Sequence, residues 1–559
     1  MPIVTHEVFN QTPALENVNF YLADKPLREA VAREGAAWAD DWLIERGDEL
    51  GSAAMLAAGV TANKYVPTLK LYDATGHRRD EVEFHPAYHQ LMAYQKKHGA
   101  SGRPWAEPKP GAHVARAAFC MVFGQVDNGT SCPTTMTYAV IPALRREPKL
   151  AAWLEKTLSA EYDPRFIPGL QKKGVTLGMG MTEKQGGSDV RANTTQAEYV
   201  GESDWGAEYR ITGHKWFFSA PMCDAFLILA QTGTSAGKGP TCFFLPRFTQ
   251  NGELNAIRIQ RLKDKMGDRS NAGSEVEFWG AHAWRVGDEG RGIPTILEMG
   301  TYTRLDCALG SASLIRQSLA QAVHHACHRK AFGHRLSDQP LMRNVLADIA
   351  LESEAATALA LRLARAFDNE SDEQETLLRR VLTPATKYWI CKRGPAVAAE
   401  CMEVLGGNGY VEDGPMARMY RQAPLNSIWE GSGNVMGLDV LRALGKHPLT
   451  MAALLAEIEP AMGKNRHFDH YVVQLKEGFH SLANAETSGR ELMQRIAVTV
   501  QGALLLSHAP EPVADAFCAS RLAPGHWGAA FGVLPATTAF REILQRAWPD
   551  VAQAMEVAG

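Results

Sequence analysis

The sequence predicts an α+β multidomain protein: a helical N-terminal region, a compact β unit, a helical bundle, and a further helical region behind it. Three observations carry that prediction. At 559 residues the chain is too long for one simple core. Its texture turns from helical to strand-like near residue 174 and back to helical near residue 290. No repeat of fixed period runs through it, which sets aside solenoids and propellers. Blocks of helix, strand and helix, rather than strict alternation, are the pattern of an α+β protein.

Residues 1–175 read as an N-terminal helical domain. "LREAVAREGAAWADDWLIERGDEL" has the i, i+3, i+4 apolar spacing of one amphipathic helix, and "SGRPWAEPKPGAH" is a Pro/Gly-rich loop. Residues 176–290 read as a central β-domain. "YRITGHKWFFSA", "AFLILAQT", "TCFFLPRF" and "SEVEFWGAHAWRVG" are β-branched and aromatic runs between Gly, Asp and Asn turn signals. Residues 291–445 return to the helical period through "LMRNVLADIALESEAATALALRLARAF" and "AVAAECMEVLG". Residues 446–559 are expected to form a helical C-terminal extension, with breaks at "SHAPEP" and "LAPGHWG".

Composition narrows the function classes. The chain is 45% hydrophobic and 21% charged with net charge −4, so no whole-molecule basic field would drive it onto nucleic acid or anionic lipid. Nine scattered cysteines without a C-x-x-C pair suggest free thiols in a reducing compartment. The start "MPIVTHEVFNQ" lacks a basic stretch followed by an apolar one, so no secretory leader is expected. Nothing approaches the roughly 20 apolar residues that span a bilayer. A cytoplasmic protein without membrane contact is the expectation.

Several short stretches could carry chemistry. "MTEKQGGSDV", residues 181–190, opens the β region; its two glycines permit close backbone approach, and Thr182 and Ser188 offer hydroxyls. A plain surface turn explains it equally well. Trp216 in "GHKWFFS" could stack on a planar ring, although a core position is the commoner explanation for such a residue. Arg329 in "HRKAFGHRL" could pair with a phosphate through its planar fork, or sit on a solvated face. "MEVLGGNGYVED" ends a helix with Gly406, Gly407 and Gly409, where a simple stop needs one glycine. "IWEGSGN", residues 428–434, sets the ionisable Glu430 between a tryptophan and a glycine-spaced turn. No G-x-G-x-x-G follows a strand, and neither a P-loop nor a G-x-S-x-G elbow is present. "HHACH" puts His324 and His328 one turn apart without an obvious third ligand, so no metal is expected.

Five of these stretches, "MTEKQGGSDV", "GHKWFFS", "RKAFG", "LGGNGY" and "IWEGSGN", occur in this order with separations that resemble the acyl-CoA dehydrogenase flavoprotein family. The likeness runs nearly end to end through "THEVFNQTP", "FHPAYH", "RLKDKMGDRSNA", "RLDCALGSA" and "QPLMRNVL", and is nearest to the family's alkylation-response branch. It implies an acyl-CoA dehydrogenase-like fold assembled as a homotetramer, with FAD as cofactor, an acyl-CoA as substrate and an electron-transfer flavoprotein as acceptor. Met181, Thr182, Glu183, Gly187 and Ser188 would form the flavin loop. Trp216, Phe217 and Ser219 would lie beside the isoalloxazine, and Arg329 and Phe332 would meet the ADP part. Gly406 and Gly407 would approach FAD from a neighbouring subunit, while Ile428, Trp429, Gly431, Ser432 and Asn434 would close over it. Glu430 falls at the position of the catalytic base. Oxidation of an acyl thioester needs a carboxylate to take the α-proton as the β-hydride leaves, and burial raises a carboxyl pKa towards the working pH.

The sequence departs from the family pattern at Glu403, where Gln is usual, at Gln422, where Asp is usual, and at Trp429, where Tyr is common. Trp429 implies a narrowed or reshaped acyl pocket, hence a short or branched substrate. A flavin oxidase on the same scaffold is a further possibility, and retention of Glu430 leans towards dehydrogenation. The alternative from another class, implied by the branch, is a flavoprotein that binds double-stranded DNA through its C-terminal region and protects it from alkylation. Arg442, Lys446 and Arg521 are the candidates for phosphate contact. Local charge gives this little support: residues 445–559 hold nine Lys/Arg against eleven Asp/Glu, a net of −2.

Overall fold

A computed structural model describes residues 5–233, 239–446, 448–480, 485–525 and 530–549. The last three residues of the expected break at "LAPGHWG" and the final ten residues lie outside that set. The chain forms two compact units: a bundle unit of Met1–Ala53, His113–Gln125 and Cys307–Gly559, and a β unit of Ala54–Ala112 and Val126–Asp306. This grouping differs from the four consecutive segments read from the sequence. The N-terminal segment is divided between the two units, and the C-terminal extension shares a unit with the bundle.

In the β unit, Gly206–Ser219 and Gly273–Val286 pair antiparallel over almost their whole length, from Glu208↔Trp284 to Ser219↔Gly273. Pro240–Pro246 pairs with Gly273–Val286 on one side and Ala225–Gln231 on the other. Ala225–Gln231 meets Gln196–Ser203 through Gln231 and Gln196, and Gln196–Ser203 pairs with Gly206–Ser219, so these strands close into a ring. Leu177–Gly180 adds in parallel to Ala225–Gln231. The strands Ala225–Gln231 and Pro240–Pro246 are buried almost throughout, which explains why they read as continuous apolar runs instead of alternating ones.

Two local expectations are corrected. The segment read as one helix from residue 27 to 50 is broken: Lys25–Val31 ends in a π-helical turn, Ala32–Ala36, and the α-helix resumes at Asp40–Leu50. Gly35 adopts φ +95°, which a helix cannot contain, although the apolar stripe continues on both sides. The second correction is a hairpin, Thr68–Tyr72 with Arg78–Glu83, inside the region read as helical. Arg78–Glu83 is rich in charge with Val82 its one apolar residue, and the alternation of Leu69 and Leu71 in Thr68–Tyr72 spans only five residues. The hairpin is fastened by the buried Asp80, which accepts from the Ile259 amide at 2.8 Å and from Arg78 Nε at 2.8 Å.

The bundle unit packs Pro340–Asp368, Glu373–Val404, Gly433–Lys446 and Ala485–His508 around an apolar core that includes Leu346, Leu359, Leu382, Val440 and Ile496. Buried ion pairs tie the extension into this core: Arg362 reaches Glu375 at 2.9 Å and Glu457 at 2.7 Å. Among the described residues no helix is long and apolar enough to cross a membrane.

Candidate functional site

The β unit places the loop of residues 181–190 between the end of Leu177–Gly180 and the strand Gly206–Ser219. The Trp216 amide donates to the Thr182 carbonyl at 2.8 Å, and Asn193 Nδ2 donates to the Met181 carbonyl at 2.9 Å. A Cβ on Gly187 would lie 2.3 Å from Thr182 Oγ1, so glycine there lets the loop fold onto the threonine hydroxyl. Gly186, Gly187 and Ser188 are exposed, and a Cβ on Gly186 would meet nothing within 4 Å. The loop therefore presents an exposed hydroxyl, that of Ser188, beside open space at Gly186, which suits the polyphosphate or ring edge of a dinucleotide.

Glu183 does not join that surface. Its side chain is fully buried, accepting from Lys215 Nζ at 2.8 Å, Thr195 Oγ1 at 2.6 Å and the Thr194 amide at 2.7 Å. Burial opposes its charge, but the Lys215 ammonium and these donors outweigh it and hold the carboxyl well below the usual range. Glu183 is thus the internal brace of the loop, and any part it has in the flavin loop is played by its main chain. Trp216 is half-buried under Lys263, whose ammonium lies 3.7 Å from the indole centroid, and Phe217 is exposed with the same ammonium at 4.5 Å. Ser219 is half-buried at the strand's end.

In the bundle unit the residues after Gly292–His328 form a two-residue hairpin, Lys330–Ala331 with His334–Arg335. Phe332 and Gly333 make its turn at φ +54° and +84°, leaving the Phe332 ring 95% exposed. Arg329 Nη1 donates to the Asn10 carbonyl at 2.6 Å, and Asn10 pairs with the Lys330 main chain, so part of the Arg329 guanidinium is committed to the N-terminal segment. His324 Nε2 lies 3.0 Å from the Pro13 carbonyl. The glycines of residues 406–409 separate by cause. Gly406 has φ +61°, a Cβ on Gly409 would lie 2.2 Å from the Met402 carbonyl oxygen, and a Cβ on Gly407 would meet nothing. Backbone conformation accounts for Gly406 and packing for Gly409, which leaves Gly407 unexplained by the chain itself.

Glu430 is half-buried in a left-handed conformation, φ +59°, followed by Gly431 at +98° and the helix Gly433–Lys446. For a side chain with a Cβ this backbone costs about 1–2 kcal/mol, so something must hold it. The holder is Lys387, buried on Glu373–Val404, whose ammonium donates to the carbonyls of Trp429 at 2.7 Å and Gly431 at 2.5 Å, one on each side of Glu430. The Trp429 indole donates to Asn426 Oδ1 at 3.0 Å, and Asn426 Nδ2 donates to Ser311 Oγ at 3.1 Å. Downstream, the Ser432 carbonyl accepts from the Met436 amide at 3.0 Å, and Asn434 Oδ1 accepts from Arg490 Nε at 2.8 Å. Ile428 is exposed. Residues 428–434 therefore form one braced turn. Lys387, Lys215 and Asn426 were missed in the sequence; Lys215 sits inside "GHKWFFS", whereas nothing around Lys387 marks it.

Of the three DNA candidates, Arg521 is corrected. Arg521 is buried, with Nη2 at 2.5 Å from Asp348 and 3.1 Å from Glu352, so it braces the extension and offers no phosphate contact. Arg442 and Lys446 are exposed on Gly433–Lys446, with Arg442 3.6 Å from Asp439.

The chain is similar to known proteins over nearly its whole length. Three family profiles match: adaptive response protein AidB N-terminal domain over residues 10–164, acyl-CoA dehydrogenase middle domain over 178–280, and acyl-CoA dehydrogenase C-terminal domain over 290–445. AidB of Escherichia coli (strain K12), whose name places it among acyl-CoA dehydrogenases, is 49% identical over 517 residues, 92% of this chain and 94% of its own. Acyl-CoA dehydrogenase family member 11 of Caenorhabditis elegans is 29% identical over 476 residues, 80% of this chain and 76% of its own. The crystal structure of Caenorhabditis elegans ACDH-11 in complex with C11-CoA superposes with a TM-score of 0.84 at 26% identity, over 93% of this chain and 94% of that one.

Proposed function

We infer the function from this premise: the chain belongs to the acyl-CoA dehydrogenase family, whose members are oxidoreductases that typically bind FAD. The proposed reaction is α,β-dehydrogenation of a short or branched acyl-CoA with Glu430 as base. One observation carries the reading. The chain holds a carboxylate in an unfavourable left-handed turn and spends a buried lysine to keep it there, at φ +59° between the two carbonyls that Lys387 binds. A surface glutamate needs neither the strain nor the brace.

Groups that fit parts of FAD are present in each unit taken by itself: Ser188 with the exposed Gly187, and Phe217 with Trp216, in the β unit, and separately Arg329, Phe332 and Gly407 in the bundle unit. FAD, when bound, supplies the acceptor for the hydride from Cβ. Glu430 takes the proton at Cα, so the thioester loses one proton and one hydride and becomes the 2-enoyl thioester. A positioned base of this kind contributes roughly 100- to 10,000-fold. The Glu430 amide polarises the thioester carbonyl, lowering the barrier to deprotonation. The Trp429 indole, fixed by Asn426, narrows the acyl site and favours the small substrate. The ligand of the ACDH-11 structure, C11-CoA, supports an acyl-CoA as the substrate class. Nine free cysteines suit a cytoplasmic setting, and the exposed apolar residues Phe332, Tyr410 and Ile428 suit burial in a homotetramer. Electrons would pass to an electron-transfer flavoprotein.

The test is anaerobic mixing of the purified flavoprotein with butyryl-, isobutyryl- and isovaleryl-CoA while following flavin absorbance. Stoichiometric bleaching by at least one is expected. No bleaching by any of them contradicts the proposed substrate class.

A further inference from the structure

Away from the residues assigned above, the β unit contains a cavity of about 400 Å³. It lies among Arg78–Glu83, Pro86–Lys97, the long connection before Leu177–Gly180 and the residues just after Gly206–Ser219. Neither the loop 181–190 nor Trp216, Phe217 or Ser219 lines it. The "FHPAYH" stretch, for which the dehydrogenase reading has no use, supplies part of its wall. Phe84 and Tyr88 stack at 3.9 Å, and His89 Nδ1 meets the Tyr162 hydroxyl at 2.8 Å.

The chemistry at the buried end is lopsided. Lys96, Lys172 and Arg247 are buried there against a single acid, Asp224. Lys172 is paired with Asp224 at 2.7 Å, and among the described residues Lys96 reaches only the carbonyls of Thr157 and Val175, at 3.4 and 3.3 Å. Arg247 makes one hydrogen bond among the described residues, from Nε to the Cys223 carbonyl at 3.2 Å, and its buried Nη2 has no partner. Acids nearer the surface are spoken for: Glu81 by Arg79 at 3.3 Å, Glu83 by Lys70 at 3.1 Å and Asp163 by Arg165 at 2.6 Å, while Glu161 is exposed. A buried guanidinium normally satisfies its fork, and an orphaned one is strongly unfavourable. Around it the walls are aromatic and aliphatic: Phe84, Tyr88, Met92, Phe166, Ile167 and Met222.

We propose that this cavity binds a small organic anion, a carboxylate on an aromatic or short branched apolar body, with Arg247 receiving the carboxylate and Phe84, Tyr88 and Phe166 enclosing the body. The volume suits a ligand of that size, since pockets for small molecules begin near 300 Å³. A carboxylate is the group that fills a planar fork with two parallel hydrogen bonds. The assignment does not depend on the dehydrogenase reading, because it uses none of the same residues.

The test uses the full chain and two probes, 4-bromobenzoate and 3-methylbutanoate, with 4-bromobenzamide as the neutral control. Calorimetry should show saturable binding of at least one acid and at least tenfold weaker binding of the amide. Arg247→Met should weaken the acid at least tenfold, and the anomalous signal of bromine in a crystal should fall among Phe84, Tyr162 and Phe166. If Arg247→Met does not fold, the amide comparison and the bromine position decide. No saturable binding of either acid, equal binding of acid and amide, or bromine outside the cavity would overturn the proposal.

Discussion

Lys387→Met tests the brace beneath Glu430 without touching Glu430. The substitution keeps the length of the side chain and removes the ammonium that binds the Trp429 and Gly431 carbonyls. Hydrogen bonds from a charged donor contribute roughly 1.5–3 kcal/mol each, and part of that is recovered because a buried charge no longer needs desolvation. A net loss of about 2–4 kcal/mol is expected, which lowers a domain's melting midpoint by at least about 4 °C. The left-handed turn then relaxes, and a shift of about 1 Å at a catalytic group costs on the order of 100-fold in rate. Thermal unfolding followed by circular dichroism reads the first effect, and the anaerobic flavin bleaching rate with saturating acyl-CoA reads the second. Both should fall, with substrate affinity nearly unchanged. A variant with the wild-type midpoint and the wild-type bleaching rate would refute the idea that Lys387 holds the base.

Three further outcomes follow from the same geometry. Glu183 has its carboxyl depressed in the folded state, so its contribution is full above its unfolded value near 4.3 and is lost as the pH falls below that; urea unfolding between pH 5 and 2 should show this slope, flattened in Glu183→Gln with Lys215→Met. Gly407→Ala should leave the melting midpoint within about 2 °C, because an added Cβ meets nothing, while lowering the flavin content of the purified protein if cofactor approaches there; Gly409→Ala, 2.2 Å from a carbonyl oxygen, should destabilise the fold outright. Arg521→Met strands Asp348 and Glu352 in the interior and should cost about 3–5 kcal/mol in denaturant unfolding, whereas Arg442→Ala, being exposed, should change stability by less than about 0.5 kcal/mol.

The strands were legible because burial on both faces writes itself into composition, as "AFLILAQT" shows, and the long helices because their apolar stripe persists over many turns. Features that depend on distant partners were not. Glu183 reads as part of an exposed turn until Lys215, 32 positions later, is seen to neutralise it in the core. Lys387 lies 42 positions before Trp429 in an ordinary helical stretch, and no local pattern announces that it will clamp a turn. Arg521 looks like a free cation in a sequence of modest charge, yet its partner Glu352 is 169 residues away. The hairpin Thr68–Tyr72 with Arg78–Glu83 escaped for the opposite reason: its second strand is polar, its first is too short to stand out, and a buried aspartate fixes it in place of an apolar face.

The central claim is that Glu430 removes a proton from the α-carbon of an acyl thioester. The measurement that bears on it most directly is exchange of that proton with deuterated water, read by NMR on butyryl-CoA incubated anaerobically with the FAD-loaded protein. Wild type should incorporate deuterium at Cα, and Glu430→Gln with the same flavin content should incorporate none above the enzyme-free rate. Equal exchange by both proteins would show that Glu430 is not the base.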